Sequence, residues 1–158
     1  MKKLIHIGLL ASALVITVSL SNVSSIYAAA PFRLHIEVDE EISDLYAESF
    51  VATGSAVDEG FIYPTGTVDD IDAQIIDTHE SSIRIIKSLK RFSFDDLSGT
   101  FDVELIIRLN SVSGETSARW RIVAGTGSYA DLKGSGSLVG TPIILGQSIH
   151  DVYDGLVF

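Results

Sequence analysis

From Phe32 onward this chain sets an apolar side chain at nearly every second position, and a period of two is what a strand needs and a helix cannot use. Phe32, Leu34, Ile36 and Val38 alternate with Arg33, His35, Glu37 and Asp39. Successive side chains of a strand point to opposite faces, so this is a strand with one buried and one wet side. Phe101, Val103, Leu105, Ile107 and Leu109 repeat the phase against Asp102, Glu104, Ile106 and Arg108. Further strands are expected over residues 45–54, 61–68, 73–78, 82–94, 100–109, 117–124, 136–144 and 148–157. Turn residues separate them: Asp58-Glu-Gly60, Pro64-Thr-Gly66, Asp95-Asp-Leu-Ser-Gly99, Ser113-Gly114 and Gly146-Gln147 tolerate tight or positive-φ backbone. Residues 83–91 also fit a helix, with Ile83, Ile86 and Lys90 at helical spacing. The β-branched Ile83, Ile85 and Ile86, and the alternation continuing through Phe92 and Phe94, favour a strand.

Ahead of the alternating region, Lys2-Lys3 precedes a mostly apolar run over residues 4–20, then serines, then Ala28-Ala29-Ala30. A charged start, an apolar middle and a small-residue end are the parts of a secretory signal peptide. The run approaches the length of a spanning helix, but the serines and alanines after it argue for cleavage, expected after Ala28, since a cut after Ala30 would leave Pro31 first. Residues 1–28 are thus assigned as signal peptide and 29–158 as one domain, expected to be secreted to the extracellular space and free of the membrane after cleavage. That domain of about 130 residues buries roughly two thirds of the surface its unfolded chain exposes, enough to fold alone.

Several function classes fall away on composition. The chain has no cysteine, so thiol nucleophiles and thiolate metal sites are excluded and stability must come from the core and the sheet ladders. Without Lys2 and Lys3, nine basic residues face 21 acidic ones, a formal charge of −12. Such a surface repels phosphate backbones and anionic lipid, so nucleic acid is not an expected partner. His35, His79 and His150 survive cleavage but are far apart, and neither a metal nor a cofactor is expected. His79-Glu80 opens like a zincin motif but has Ile83 where the second histidine belongs. Asp69-Asp70-Ile71-Asp72 is read as a solvated acidic turn, with weak calcium binding left open.

The segment Trp120-Arg-Ile-Val-Ala-Gly125-Thr-Gly127-Ser-Tyr129-Ala-Asp131-Leu132-Lys-Gly134-Ser-Gly136 joins two strands through a glycine-punctuated bend. Gly125 and Gly127 let the backbone leave a strand sharply, Tyr129 and Leu132 drop back as a plug, and Gly134 and Gly136 permit close strand approach. Gly125-Thr-Gly127-Ser-Tyr-Ala130 also fits the loose G-x-G-x-x-A form, without the βαβ unit that a dinucleotide site requires. The segment resembles the signature of the allene oxide cyclase-like barrels, a superfamily of small closed β-barrels that includes the plant dirigent proteins. The resemblance extends to Gly54-Ser-Ala56-Val57-Asp58-Glu-Gly60, Pro64-Thr-Gly66-Thr67-Val68, Ser98-Gly99-Thr100-Phe101 and Asp151-Val-Tyr153-Asp-Gly155, which look like secreted bacterial members. Tyr129 agrees with the dirigent pattern and Leu132-Lys133-Gly134 departs from its Ala-Arg-Gly close.

The expected fold is all-β, a single closed antiparallel barrel of about eight strands, allene oxide cyclase-like. Closure satisfies every strand edge and encloses an interior that side chains fill or that holds one small ligand. An outer-membrane barrel is disfavoured because His150 and Asp154 interrupt the apolar outer face that the terminal strand would need. Trp120, Ile122, Phe101, Val103, Leu105, Ile36 and Leu34 should form one buried cluster, with Arg119 and Arg121 outside. The resemblance implies chemistry ranging from epoxide cyclisation to guidance of radical coupling, or none. The role expected is binding a small apolar or amphipathic molecule in the barrel interior. The alternatives are a cyclase or isomerase in the same pocket and a structural extracellular barrel without ligand. If the protein is an enzyme, the working group expected is an inward carboxylate, first Glu104, with pairing to Arg121 or Arg119 on the outer surface as its competing fate. The oligomeric state is left open.

Overall fold

The computed structural model describes residues 30–42, 47–76 and 82–158. Eight antiparallel strands run in chain order and close on themselves: β1 Phe32–Glu41, β2 Glu48–Thr53, β3 Thr65–Ile76, β4 Ile83–Phe94, β5 Thr100–Asn110, β6 Thr116–Gly125, β7 Gly134–Ile144 and β8 Ser148–Val157. β8 returns to pair with β1, from Phe32↔Val157 to Glu41↔Ser148, so no sheet edge is left open. The all-β barrel expected from the alternation is the observed architecture, and residues 83–91 are strand. One helical turn, α1 Ser55–Asp58, follows β2.

The core cluster contains Leu34, Ile36, Phe101, Val103, Leu105, Trp120 and Ile122 together, and Arg119 and Arg121 are exposed. Trp120 donates its indole N–H to the Ser137 carbonyl at 3.0 Å, so the largest apolar side chain of β6 is buried without an orphaned donor. The outward phase carries charge: His35 bridges Glu37 and Asp154, and His150 meets Asp39 at 2.6 Å.

The strands expected over 61–68 and 73–78, on either side of an acidic turn at 69–72, are instead one strand, β3, which begins only at Thr65, after bends over 61–64, and passes straight through Asp69, Asp70, Ile71 and Asp72. The pairing with β4 slips by one residue there, from Asp70↔Lys90 to Asp72↔Leu89, leaving Ile71 as the extra residue of a bulge. The slip exchanges the two faces. Val68 and Asp70 share a face with Phe92 and Lys90 before it, and Ala73 and Ile75 share that face with Ser88 and Ile86 after it. Alternation therefore breaks at 69–72, and the break looks like a turn to any period-two argument. Residues 1–29, 43–46 and 77–81 lie outside the described residues, and with them the signal-peptide assignment, the start of the expected 45–54 strand and His79.

One end of the barrel is closed by the glycine-punctuated segment. After β6 ends at Gly125, residues Gly127–Tyr129 form a single 3-10 turn. Gly127 has φ 56 and sits against the Ser98 carbonyl, where any side chain would collide. The turn drops Tyr129 into the core, against Phe94 at a ring separation of 4.4 Å and Phe101 at 6.0 Å. Its hydroxyl accepts from the Tyr63 N–H at 3.2 Å and from Ser98 Oγ at 3.1 Å. Leu132 packs on the same cluster, and Gly134 and Gly136 lie in β7. Phe50, Phe92, Phe94, Phe101, Tyr129 and Tyr153 interlock here with ring separations of 4.4 to 6.0 Å, so this half of the barrel is filled.

Candidate functional site: a polar layer beneath an open apolar mouth

The other half is not filled. At the end where β1 finishes and β2 begins, a cavity of about 610 Å³ opens to solvent. Its upper wall is apolar, from Ile75, Ile86, Ile107, Leu109, Leu145 and Ile149 among others. Below that band the inward positions of five strands turn polar at one level: Glu40 from β1, Asp70 from β3, Ser88 and Lys90 from β4, Thr116 from β6 and Asp151 from β8. The aromatic half begins beneath this layer, with Tyr153 next inward after Asp151 on β8. From closed end to mouth the barrel thus reads aromatic, polar, apolar.

Lys90 organises the layer. Its side chain is 6% exposed, a costly place for a charge unless it is paired. It donates to both oxygens of Glu40, at 2.7 and 2.6 Å, and lies 3.3 Å from Asp70. Ser88 Oγ donates to the same Asp70 oxygen at 3.1 Å. Burial works against the ammonium, but the neighbouring Glu40 and Asp70 outweigh it and hold its pKa above the ordinary lysine value. Lys90 is therefore a charged group hydrogen-bonded to one carboxylate, Glu40, and ion-paired with a second, Asp70.

Asp151 is different. Burial pushes its pKa up to about 7, the Glu40 charge adds to the rise, and Lys90 opposes it. The Thr116 hydroxyl lies beside this carboxyl and also opposes the rise, yet neither Thr116 Oγ1 nor Asp151 Oδ1 has a hydrogen bond of acceptable geometry. Both crowd the α-carbon of Gly140, where a Cβ would overlap each of them, so the absence of a side chain at 140 is what lets the two sit side by side. The Tyr153 hydroxyl is a third buried polar atom without a partner among the described residues. Burial, then the charges of Glu40, Asp151 and Asp70, raise its pKa well above the ordinary value, so it stays neutral. Orphaned buried polar atoms are rare in native proteins and call for a cause, such as a group that is supplied from outside.

Glu104 does not belong to this layer. It stands on the outer wall, in the phase opposite to Val103 and Leu105, where Arg121 donates to it at 3.0 and 2.7 Å and Lys87 lies 3.2 Å away. The Arg121 hydrogen bonds, then that of Lys87, hold its pKa below the usual carboxylate range, the reverse of what an interior proton shuttle requires. The placement expected for a catalytic Glu104 is thus corrected: the inward carboxylates are Glu40, Asp70 and Asp151. Asp70 belongs to the stretch expected as a solvated acidic turn, and it faces Lys90 because β3 runs on through that stretch in the phase of Val68. Asp151 was legible in principle, since it alternates in phase with Ile149 and Tyr153 on β8. Among the described residues, no group of His, Asp and Glu is arranged to hold a metal ion.

In comparisons with known proteins, no family model and no curated protein matches this chain.

Proposed function

We propose that this chain is a secreted barrel of the allene oxide cyclase-like kind whose role is to bind one small amphipathic molecule in the open half of the barrel. The carrying observation is the sequence of environments along the cavity, an apolar band above a layer of polar groups in which two buried atoms, Thr116 Oγ1 and Asp151 Oδ1, lack partners. Ligand pockets of soluble proteins are of this size, mostly apolar, with a few convergent polar groups that fix orientation. The resemblance of the 120–136 segment to that superfamily supports the same reading, and the charged start of the chain supports export. A barrel packed solid, as a purely structural role would have it, fits poorly with an open cavity of about 610 Å³.

A cyclase or isomerase in the same pocket is the second reading, favoured by one feature. A carboxyl with a pKa of about 7 can both give and take a proton near neutrality, which is what a general acid–base group needs. On that reading Asp151 takes the role expected of Glu104.

The test is titration with Nile red, an uncharged apolar dye whose emission shifts to the blue in apolar surroundings. Saturable binding of one dye per chain is expected, weakened in Ile86→Trp, which fills the apolar band while near-ultraviolet circular dichroism reports an intact fold. Emission that rises without saturating, or is indifferent to Ile86→Trp, would refute the binding role.

A further inference from the structure

We propose that the polar layer selects an amphipathic molecule with a cationic amine headgroup, and that Asp151 is the counter-ion that receives it. This rests on the binding role proposed above and goes beyond it by naming the headgroup chemistry and its direction of entry, head first with the tail in the apolar band.

Charge and free hydrogen-bonding capacity in the layer both favour a cation. The layer holds three carboxyl groups, Glu40, Asp70 and Asp151, and one cation, Lys90. Lys90 is matched to Glu40 and Asp70, so an anionic headgroup reaching the layer meets a cation already countered by two carboxylates, which repel it. Asp151 remains, 6% exposed, lining the cavity, with Oδ1 unpartnered. Desolvation makes an unpaired carboxylate here expensive and a paired one strong. An ammonium headgroup supplies the missing charge, and Thr116 Oγ1 beside Asp151 can accept one further N–H.

The groups facing Asp151 decide how binding responds to pH. Glu40 and Lys90 act on it most strongly, the neutral Thr116 and Tyr153 hydroxyls flank it, and the adjacent His150 is on the outer wall with Asp39. Burial and Glu40 hold the proton on Asp151 up to about pH 7. An ammonium therefore binds more tightly as pH rises through that value, until the amine itself loses its proton.

One rival placement has to be separated. Arg84, the second residue of β4 and in phase with Ile86 and Ser88, lines the cavity near its mouth, and an anionic amphipath with its head at Arg84 and its tail in the same apolar band would use the cavity the other way up.

The experiment displaces Nile red from the full chain with three probes of equal tail length: decylamine, decanol and decanoate. Decylamine is expected to displace the dye at least about tenfold more tightly than decanol, the equivalent of one charge-assisted hydrogen bond over a neutral one, with decanoate weakest. Asp151→Asn is expected to remove that advantage and leave decanol unchanged, and the wild-type affinity for decylamine is expected to climb between about pH 6 and pH 8. The pH profile is read on the wild type, so it stands even if the variant folds badly. Decanoate binding most tightly and losing affinity in Arg84→Gln, or a decylamine affinity flat in pH and indifferent to Asp151→Asn, overturns the proposal while leaving the binding role intact. Failure of the dye and of all three probes to bind overturns both.

Discussion

Replacing Asp151 by Asn is expected to stabilise the barrel at neutral and alkaline pH and to do little in acid. The pKa of this carboxyl rises from 3.8 to about 7 on folding, roughly three units, and at 1.36 kcal/mol per unit the fold carries a penalty of ~4 kcal/mol whenever the group must ionise. The sign follows from which state holds the proton. Below about pH 4 both states are protonated and the penalty is absent; between about pH 4 and 7 the unfolded chain ionises first, so stability falls as pH rises; above about 7 the loss is complete. Asn keeps the shape and removes the charge. Its amide still lacks partners beside Thr116, which offsets about half of the gain, leaving ~2 kcal/mol, or about 6 °C in Tm for a domain this size. Lys90 keeps its charge because Glu40 and Asp70 still face it. Urea unfolding of both proteins at about pH 5 and pH 8.5 measures the difference directly. A difference that does not change with pH, or a variant less stable at the higher value, would refute the assignment of Asp151 as a buried, unpaired carboxyl.

Lys90→Met should destabilise by about 3 kcal/mol at neutral pH, because Glu40 and Asp70 lose the cation between them; a smaller loss in acid, where those carboxyls take up protons, would show in the same urea series. Tyr129→Phe removes the group that accepts from Tyr63 and Ser98 and should lower stability by about 1 kcal/mol without altering Nile red affinity at the opposite end. Gly127→Val forces a β-branched residue to φ 56 and should lose about 3 kcal/mol, visible as a lower urea midpoint. Glu104→Gln is expected to leave both melting temperature and dye binding close to wild type, and a loss of binding in that variant would return Glu104 to consideration.

How far the sequence carried the fold depends on where its period held. β1 and β5 keep their apolar alternation, and β6 keeps it up to Ile122, before the pairing slips at Val123; there the inward set, Leu34 to Ile122, was readable residue by residue. β3 was not, because a bulge at Ile71 moves every later side chain to the other face, and no local propensity marks a bulge inside a run of acids. Closure itself has no signature within any one strand. It is fixed by the pairing of β1 with β8, residues more than a hundred positions apart, so only the number of strands and the absence of helices pointed to it.

The site was hidden for a related reason. An acid in an apolar run is read as outward because outward is where acids usually go, and for Glu104, with Arg121 and Lys87 beside it, the rule held. It failed for Glu40, Asp70 and Asp151, which share the inward phase with Val38, Val68 and Tyr153. What distinguishes the two sets is the cation each meets: Glu104 finds an exposed arginine across one ladder, whereas Glu40, from β1 across the interior, and Asp70, from the neighbouring β3, converge on a single lysine. Asp151 finds none of its own. A closed barrel of this width tolerates three inward carboxyls at one level only if they are paired or protonated, and Lys90 pairs two. The third is lifted by burial and by the Glu40 charge to a pKa of about 7, and its charge is left for something other than the fold to settle.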